Sequence, residues 1–239
     1  MEEMNEYLKP SRLCDCDNAE IREKAVEITG EVEGPREAAL RIFYFVRDEI
    51  PFGFGLYDPF EETASRTLRR DYGDCGSKTN LQVALLRARG IPARYHFARA
   101  KGEILKPSFP RFISDRFPTD MWHLWCECYL SGKWIACEAL LDEPLYKGML
   151  REGLITREQI PVTDWDGETD LVVLGSWIVR DIGVSPYCEE FLEELVKRGY
   201  VKKGLPPRIL LKLFGWFPYS LPNERMNRIR KGGKKGFVG

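Results

Sequence analysis

Gly73-Asp74-Cys75-Gly76, followed by the run from Ser77 to Arg89, decides how the rest of the chain is read. Asp74 is a good N-cap, because its carboxylate can accept a first-turn N–H. Leu81, Ala84, Leu85 and Ala88 recur at the i, i+3, i+4, i+7 spacing of a buried helical face, and Gly90 stands where a helix stops. The spacing therefore predicts a helix that Cys75 opens. A thiol in that place faces unpaired backbone N–H groups and the positive end of the helix dipole, and both favour thiolate over thiol. A lone cysteine more often packs as a small hydrophobe, so a nucleophile needs a partner elsewhere.

That partner is His123, in Met121-Trp122-His123-Leu124-Trp125-Cys126-Glu127-Cys128-Tyr129-Leu130. The chain then turns at Ser131-Gly132 and returns as Lys133 to Leu141, a β-hairpin by its aromatic and β-branched content. With a two-residue loop, Leu124, Cys126, Cys128 and Leu130 share one face with Ile135, Cys137, Ala139 and Leu141. That is the expected core face. In the same register Trp125 lies opposite Glu138, and His123 is its diagonal neighbour, so Glu138 can orient the imidazole. Asp142 is diagonal to His123 on the other side and is a second candidate for that task.

Gly-Asp-Cys-Gly opening a helix, Gly90-Ile91-Pro92-Ala93-Arg94 after it, and His-x-Trp-x-Glu-x-Tyr before a Trp and an acid together resemble the transglutaminase-like superfamily of papain-type cysteine enzymes. The match covers roughly residues 35–142. The resemblance implies an α+β fold: a papain/transglutaminase-like core with the cysteine at the N-terminus of a helix packed on an antiparallel β-sheet that carries histidine and acid. It implies Cys75 as nucleophile, His123 as base and then acid, and Glu138 where the family usually has Asp. It also implies an amide substrate on a peptide or protein, attacked to give a thioester that water or an amine resolves. The Cys75 amide is one oxyanion donor, with Trp125, Trp122 or Tyr72 as further candidates to line that pocket. Hydrolysis and transamidation both remain open, and an arylamine N-acetyltransferase-like acyl transfer has no supporting acyl-CoA motif. The peptide N-glycanase variant is discounted, because Cys14-x-Cys16 does not match its zinc motifs.

His96, the only other histidine, is the rival base. It lies on the strand expected at Ile91–Ala98, directly after the Cys75 helix; His123 is favoured because it sits in the aromatic and acidic hairpin with an orienting carboxylate.

At 239 residues and 44% hydrophobic content the chain can bury one sizeable core. The expected organisation is a transglutaminase-like domain over 1–186 and a helical, basic extension over 187–239. The formal net charge of −1 hides an asymmetry, since from Lys197 onward twelve Lys and Arg stand against the single acid Glu224. The tail could meet an acidic partner, a membrane surface or nucleic acid, although no clear nucleic-acid motif is present. A binding module that keeps the fold without catalysis is the further alternative. No apolar run reaches the ~18 residues of a transmembrane segment, and Met1-Glu2-Glu3-Met4-Asn5 is acidic where a signal peptide is basic, so a cytoplasmic protein is expected.

Seven cysteines, an odd number, read as free thiols, with a Cys126–Cys137 cross-strand disulfide as a minor alternative. Cys14-x-Cys16 and Cys126-x-Cys128 are too closely spaced for ordinary zinc ligation, and no cofactor is expected. Helices are expected over about 18–31, from Pro35, over 64–69, around 145–150 and over 187–198. Leu171–Leu174 and Trp177–Val179 read as strands or buried segments, Lys101–Asp120 as a loop over the site, Pro206–Phe217 as an apolar helix and Lys231–Gly236 as a solvated end.

Overall fold

The computed structural model describes residues 2–55, 58–109, 115, 119–197 and 220–232. Its main elements are α1 (Glu2–Asn5), α2 (Ala19–Thr29), α3 (Pro35–Tyr44), α4 (Ala64–Arg70), α5 (Cys75–Ala88), β1 (Ala93–Lys101), β2 (Asp120–Leu130), β3 (Lys133–Ala136), α6 (Glu143–Arg151), β4 (Ile178–Ser185), α7 (Cys188–Lys197) and α8 (Ser220–Lys231). The expected apolar helix at Pro206–Phe217 and most of Lys231–Gly236 lie outside the described residues.

Helix α5 begins where the cap predicts. Asp74 Oδ1 accepts the Ser77 amide at 3.0 Å, and the Ser77 hydroxyl accepts the Asp74 amide at 3.0 Å, a reciprocal cap. Gly73 is needed for it, because a Cβ there would lie 2.4 Å from Ser77 Oγ. Gly90, at φ +73°, turns the chain out of the helix in the left-handed region.

The sequence periodicity predicts an amphipathic α5, but every residue from Ser77 to Arg87 is buried. Its polar side chains reach carbonyl oxygens of the segments around it. Asn80 Nδ2 donates to Leu13 O at 2.9 Å, Gln82 Nε2 to Cys137 O at 2.9 Å and Thr79 Oγ1 to Leu124 O at 3.3 Å. Arg87 donates to Ala93 O, Lys9 O and Pro186 O. Lys78 Nζ donates to Arg47 O and Ile50 O, and complete burial pulls its pKa down to about 7. Each buried donor is thus satisfied, which keeps its desolvation from destabilising the core.

A four-stranded antiparallel sheet in the order β3-β2-β1-β4 packs on α5. The hairpin has the two-residue loop, with Leu130 paired to Lys133 and Ser131 and Gly132 both at positive φ. Cys126, Cys128, Ile135 and Cys137 are fully buried, so the predicted core face is the observed one. The Cys137 amide donates to Cys126 O at 2.9 Å, carrying the register one step past β3 and setting Glu138 at the level of Trp125. All seven cysteines are free, and the Cys126–Cys137 disulfide is not formed. The α+β class and the Cys75 helix packed on an antiparallel sheet match the expectation.

Candidate active site

Three elements converge on one point. The cap of α5 fixes Cys75 as the first residue of the helix, half-buried, with its amide among first-turn N–H groups that have no acceptor within the helix. Strand β2 brings in His123, only 3% exposed, and the segment after β3 brings in Glu138, 2% exposed. His123 Nε2 lies 2.8 Å from Glu138 Oε1, and Cys75 and His123 line the wall of the same cavity. Glu138 Oε2 accepts the Leu174 amide at 3.1 Å. Burial disfavours a charge on His123, but the Glu138 carboxylate and the Cys75 sulfur outweigh it and raise its pKa to about 10. The buried Glu138 carboxylate thus favours the charged form of the ring.

Asp142 has other partners. Its carboxylate caps α6 through the Leu145 amide at 3.0 Å, accepts the Phe52 amide at 3.1 Å, and is gripped by Arg230 Nε and a terminal guanidinium nitrogen at 2.8 and 2.7 Å. Both oxygens are so engaged, and Asp142 ties α8 to α6. His96 is also committed: Nδ1 is 2.6 Å from Glu127 Oε1, Nε2 is 3.0 Å from Asp181 Oδ1, and the ring stacks on Trp125 at 4.2 Å. Partial burial opposes its charge, and the two carboxylates override this and raise its pKa.

The three oxyanion candidates are spread around the site. Trp125 has its centroid 6.0 Å from that of His123 and is buried, with Nε1 unpartnered among the described residues. Trp122 packs edge-on against Phe191 at 4.8 Å, under Arg99 at 4.6 Å. Tyr72 lies under Arg70 at 5.0 Å, beside Gly53.

The sequence profile of the transglutaminase-like superfamily matches residues 22–139, a span holding Cys75, His123 and Glu138. Residues 22–139 belong to the transglutaminase-like superfamily. Among solved structures, this superfamily member is similar to a candidate cysteine protease from Cytophaga hutchinsonii, with a TM-score of 0.53 at 22% identity, over 80% of this chain and 49% of that one. The chain thus spans about half the length of that neighbour, and what the two share is the fold. A candidate protease from Parabacteroides distasonis aligns over 53% of this chain and 24% of that one, at 18% identity and a TM-score of 0.37. No curated protein matches. No helix among the described residues is long and apolar enough to cross a membrane.

In this transglutaminase-like chain a cavity of about 130 Å³ opens beside Cys75 and His123. Trp122, Trp125 and Tyr72 are not among its wall residues, which include Phe52 and Phe54 before α4, Leu174 before β4, and Met226 and Ile229 of α8. Two participants escaped sequence reading. The Leu174 amide that anchors Glu138 carries no side-chain signal. The α8 wall sits in a tail whose basic composition suggested only solvent or a partner.

Proposed function

We propose that this protein is a cysteine-dependent acyl-transfer enzyme that cleaves an amide or ester through a thioester on Cys75. The observation that carries the reading is Cys75 and His123 side by side in one cavity wall, with His123 held by Glu138 and Glu138 by the Leu174 amide. The imidazolium of His123 stabilises a thiolate on Cys75, the sulfur adds to the substrate carbonyl, and the Cys75 amide donates to the developing oxyanion. His123 then protonates the leaving group, and afterwards takes a proton from the water or amine that resolves the thioester. Glu138 acts as the orienting carboxylate. Trp125, with its unpartnered Nε1, is the candidate second donor near the ring. Within this proposal residues 1–186 form the catalytic unit and 187–239 an extension whose helix α8 supplies part of the cavity wall.

Brief exposure to 4-nitrophenyl acetate followed by peptide mass spectrometry tests the reading. An acetyl mass on the Cys75 peptide, absent in Cys75→Ala, is expected. Label on other cysteines with none on Cys75 would overturn it.

A further inference from the structure

Given Cys75 and His123 as the reacting pair, the cavity beside them selects what the acyl group can be. Apart from Asp74, Cys75 and His123 at its reactive end, its wall side chains are hydrocarbon or thioether, among them Ile104, Leu140, Leu145, Met149, Met226 and Ile229. The Asp74 carboxylate caps α5 through Oδ1 at that reactive end. No side chain of the described wall can pair with a charge or an amide that enters beyond the cysteine, and such a group would lose its hydration uncompensated. The volume of about 130 Å³ is close to that of the ~150 Å³ apolar cavity that takes up benzene. Three flexible methionines, Met121, Met149 and Met226, let the wall close on an irregular chain.

We propose that the cavity seats the acyl half of the substrate, an unsubstituted hydrocarbon chain of about six carbons, carried as an amide on a peptide or protein amine. An amino-acid acyl group is disfavoured because its α-amide would meet no side-chain partner. Cys75 Sγ bonds to the acyl carbon, the C–N bond breaks, and the amine leaves with the proton from His123. Water, deprotonated by His123, then cleaves the thioester to give the carboxylic acid and the free thiol.

The experiment compares 4-nitrophenyl acetate, butyrate, hexanoate, octanoate and dodecanoate, with N-acetyl-phenylalanine 4-nitrophenyl ester as the peptide-like arm, on the full chain. The expected result is kcat/KM rising at least tenfold from acetate to hexanoate, since each buried methylene is worth about fourfold, and declining by dodecanoate. In Leu154→Asp, which puts a charge in the wall, the hexanoate-to-acetate ratio drops to within threefold. A flat chain-length series, or a tenfold preference for the N-acetyl-phenylalanine ester over hexanoate, overturns the proposal. Binding is read separately in Cys75→Ala, where hexanamide raises Tm and acetamide at equal concentration does not; equal or absent shifts overturn it as well. The two layers fail differently. If wild type forms no acyl-enzyme yet Cys75→Ala binds hexanamide selectively, the chemistry falls and the pocket stands. If acyl-enzyme forms equally from all esters, the chemistry stands and the pocket falls.

Discussion

Glu138 Oε1 lies 2.8 Å from His123 Nε2, while its other oxygen accepts the Leu174 amide at 3.1 Å. One buried carboxylate is thereby fixed between an imidazole and the backbone, and a glutamate in place of the family's usual aspartate still reaches at ordinary hydrogen-bond distance. Glu138→Gln keeps the shape and removes the charge. Its kcat is expected to fall by about 10⁴-fold with a small change in KM, since removing the charge of a triad carboxylate costs on that order. Turnover within a few-fold of wild type would remove Glu138 from the mechanism. Glu138→Ala also strands the Leu174 N–H and the ring, and is expected to lose about 3 kcal/mol by urea unfolding.

Two buried cations should tilt the stability profile in opposite directions. His123 has a folded pKa of about 10, above its unfolded value, so its contribution is complete below about pH 6.5 and is lost as pH rises through 10. Lys78 has a folded pKa of about 7, below its unfolded value, so its contribution grows from about pH 7 to 10.4. In wild type the two slopes therefore oppose each other between about pH 7 and 10. Lys78→Met exposes the falling limb and His123→Gln the rising one, each by about 1.4 kcal/mol per pH unit. Parallel profiles for the two variants in urea melts would contradict this assignment.

Arg230 is 14% exposed at its side chain and holds Asp142 with two hydrogen bonds. Arg230→Met leaves a buried carboxylate with backbone donors only and is expected to cost about 3–5 kcal/mol. Asp142→Asn should leave the alkylation rate of Cys75 unchanged in the folded protein, because Asp142 fastens α8. A tenfold slower alkylation would restore Asp142 as the orienting acid.

Gly148 lets α8 approach α6 closely. A Cβ there would lie 2.3 Å from Ile229 O, a distance the backbone cannot accept. Gly148→Ala is expected to push α8 away at a cost of about 1–3 kcal/mol, with faster amide exchange in residues 220–232 than in α5. Uniform exchange across both helices would show that α8 is not displaced.

The hairpin and its acid were legible because strand parity is strict. Once Leu124, Cys126 and Cys128 share a face with Ile135 and Cys137, Glu138 must fall beside His123. The burial of every α5 residue from Ser77 to Arg87 was not legible, since periodicity counts apolar residues and cannot see that Asn80, Gln82 and Arg87 find carbonyls far along the chain. Strand β4 was only partly legible, because it is an edge strand with exposed Val179, Ile182 and Val184 and register shifts against β1. The α8 wall was hidden for a related reason. A basic helix reads as solvated unless one knows that Arg230 meets a buried carboxylate.

The central claim is that His123 activates Cys75. It is tested most directly by the rate of Cys75 alkylation by iodoacetamide from pH 5 to 10, read by peptide mass spectrometry in wild type, His123→Ala and Glu138→Gln. Fast alkylation below pH 7 in wild type, lost in His123→Ala and weakened in Glu138→Gln, is the predicted result. Identical pH–rate curves in all three proteins would contradict the account and leave Cys75 an ordinary half-buried thiol.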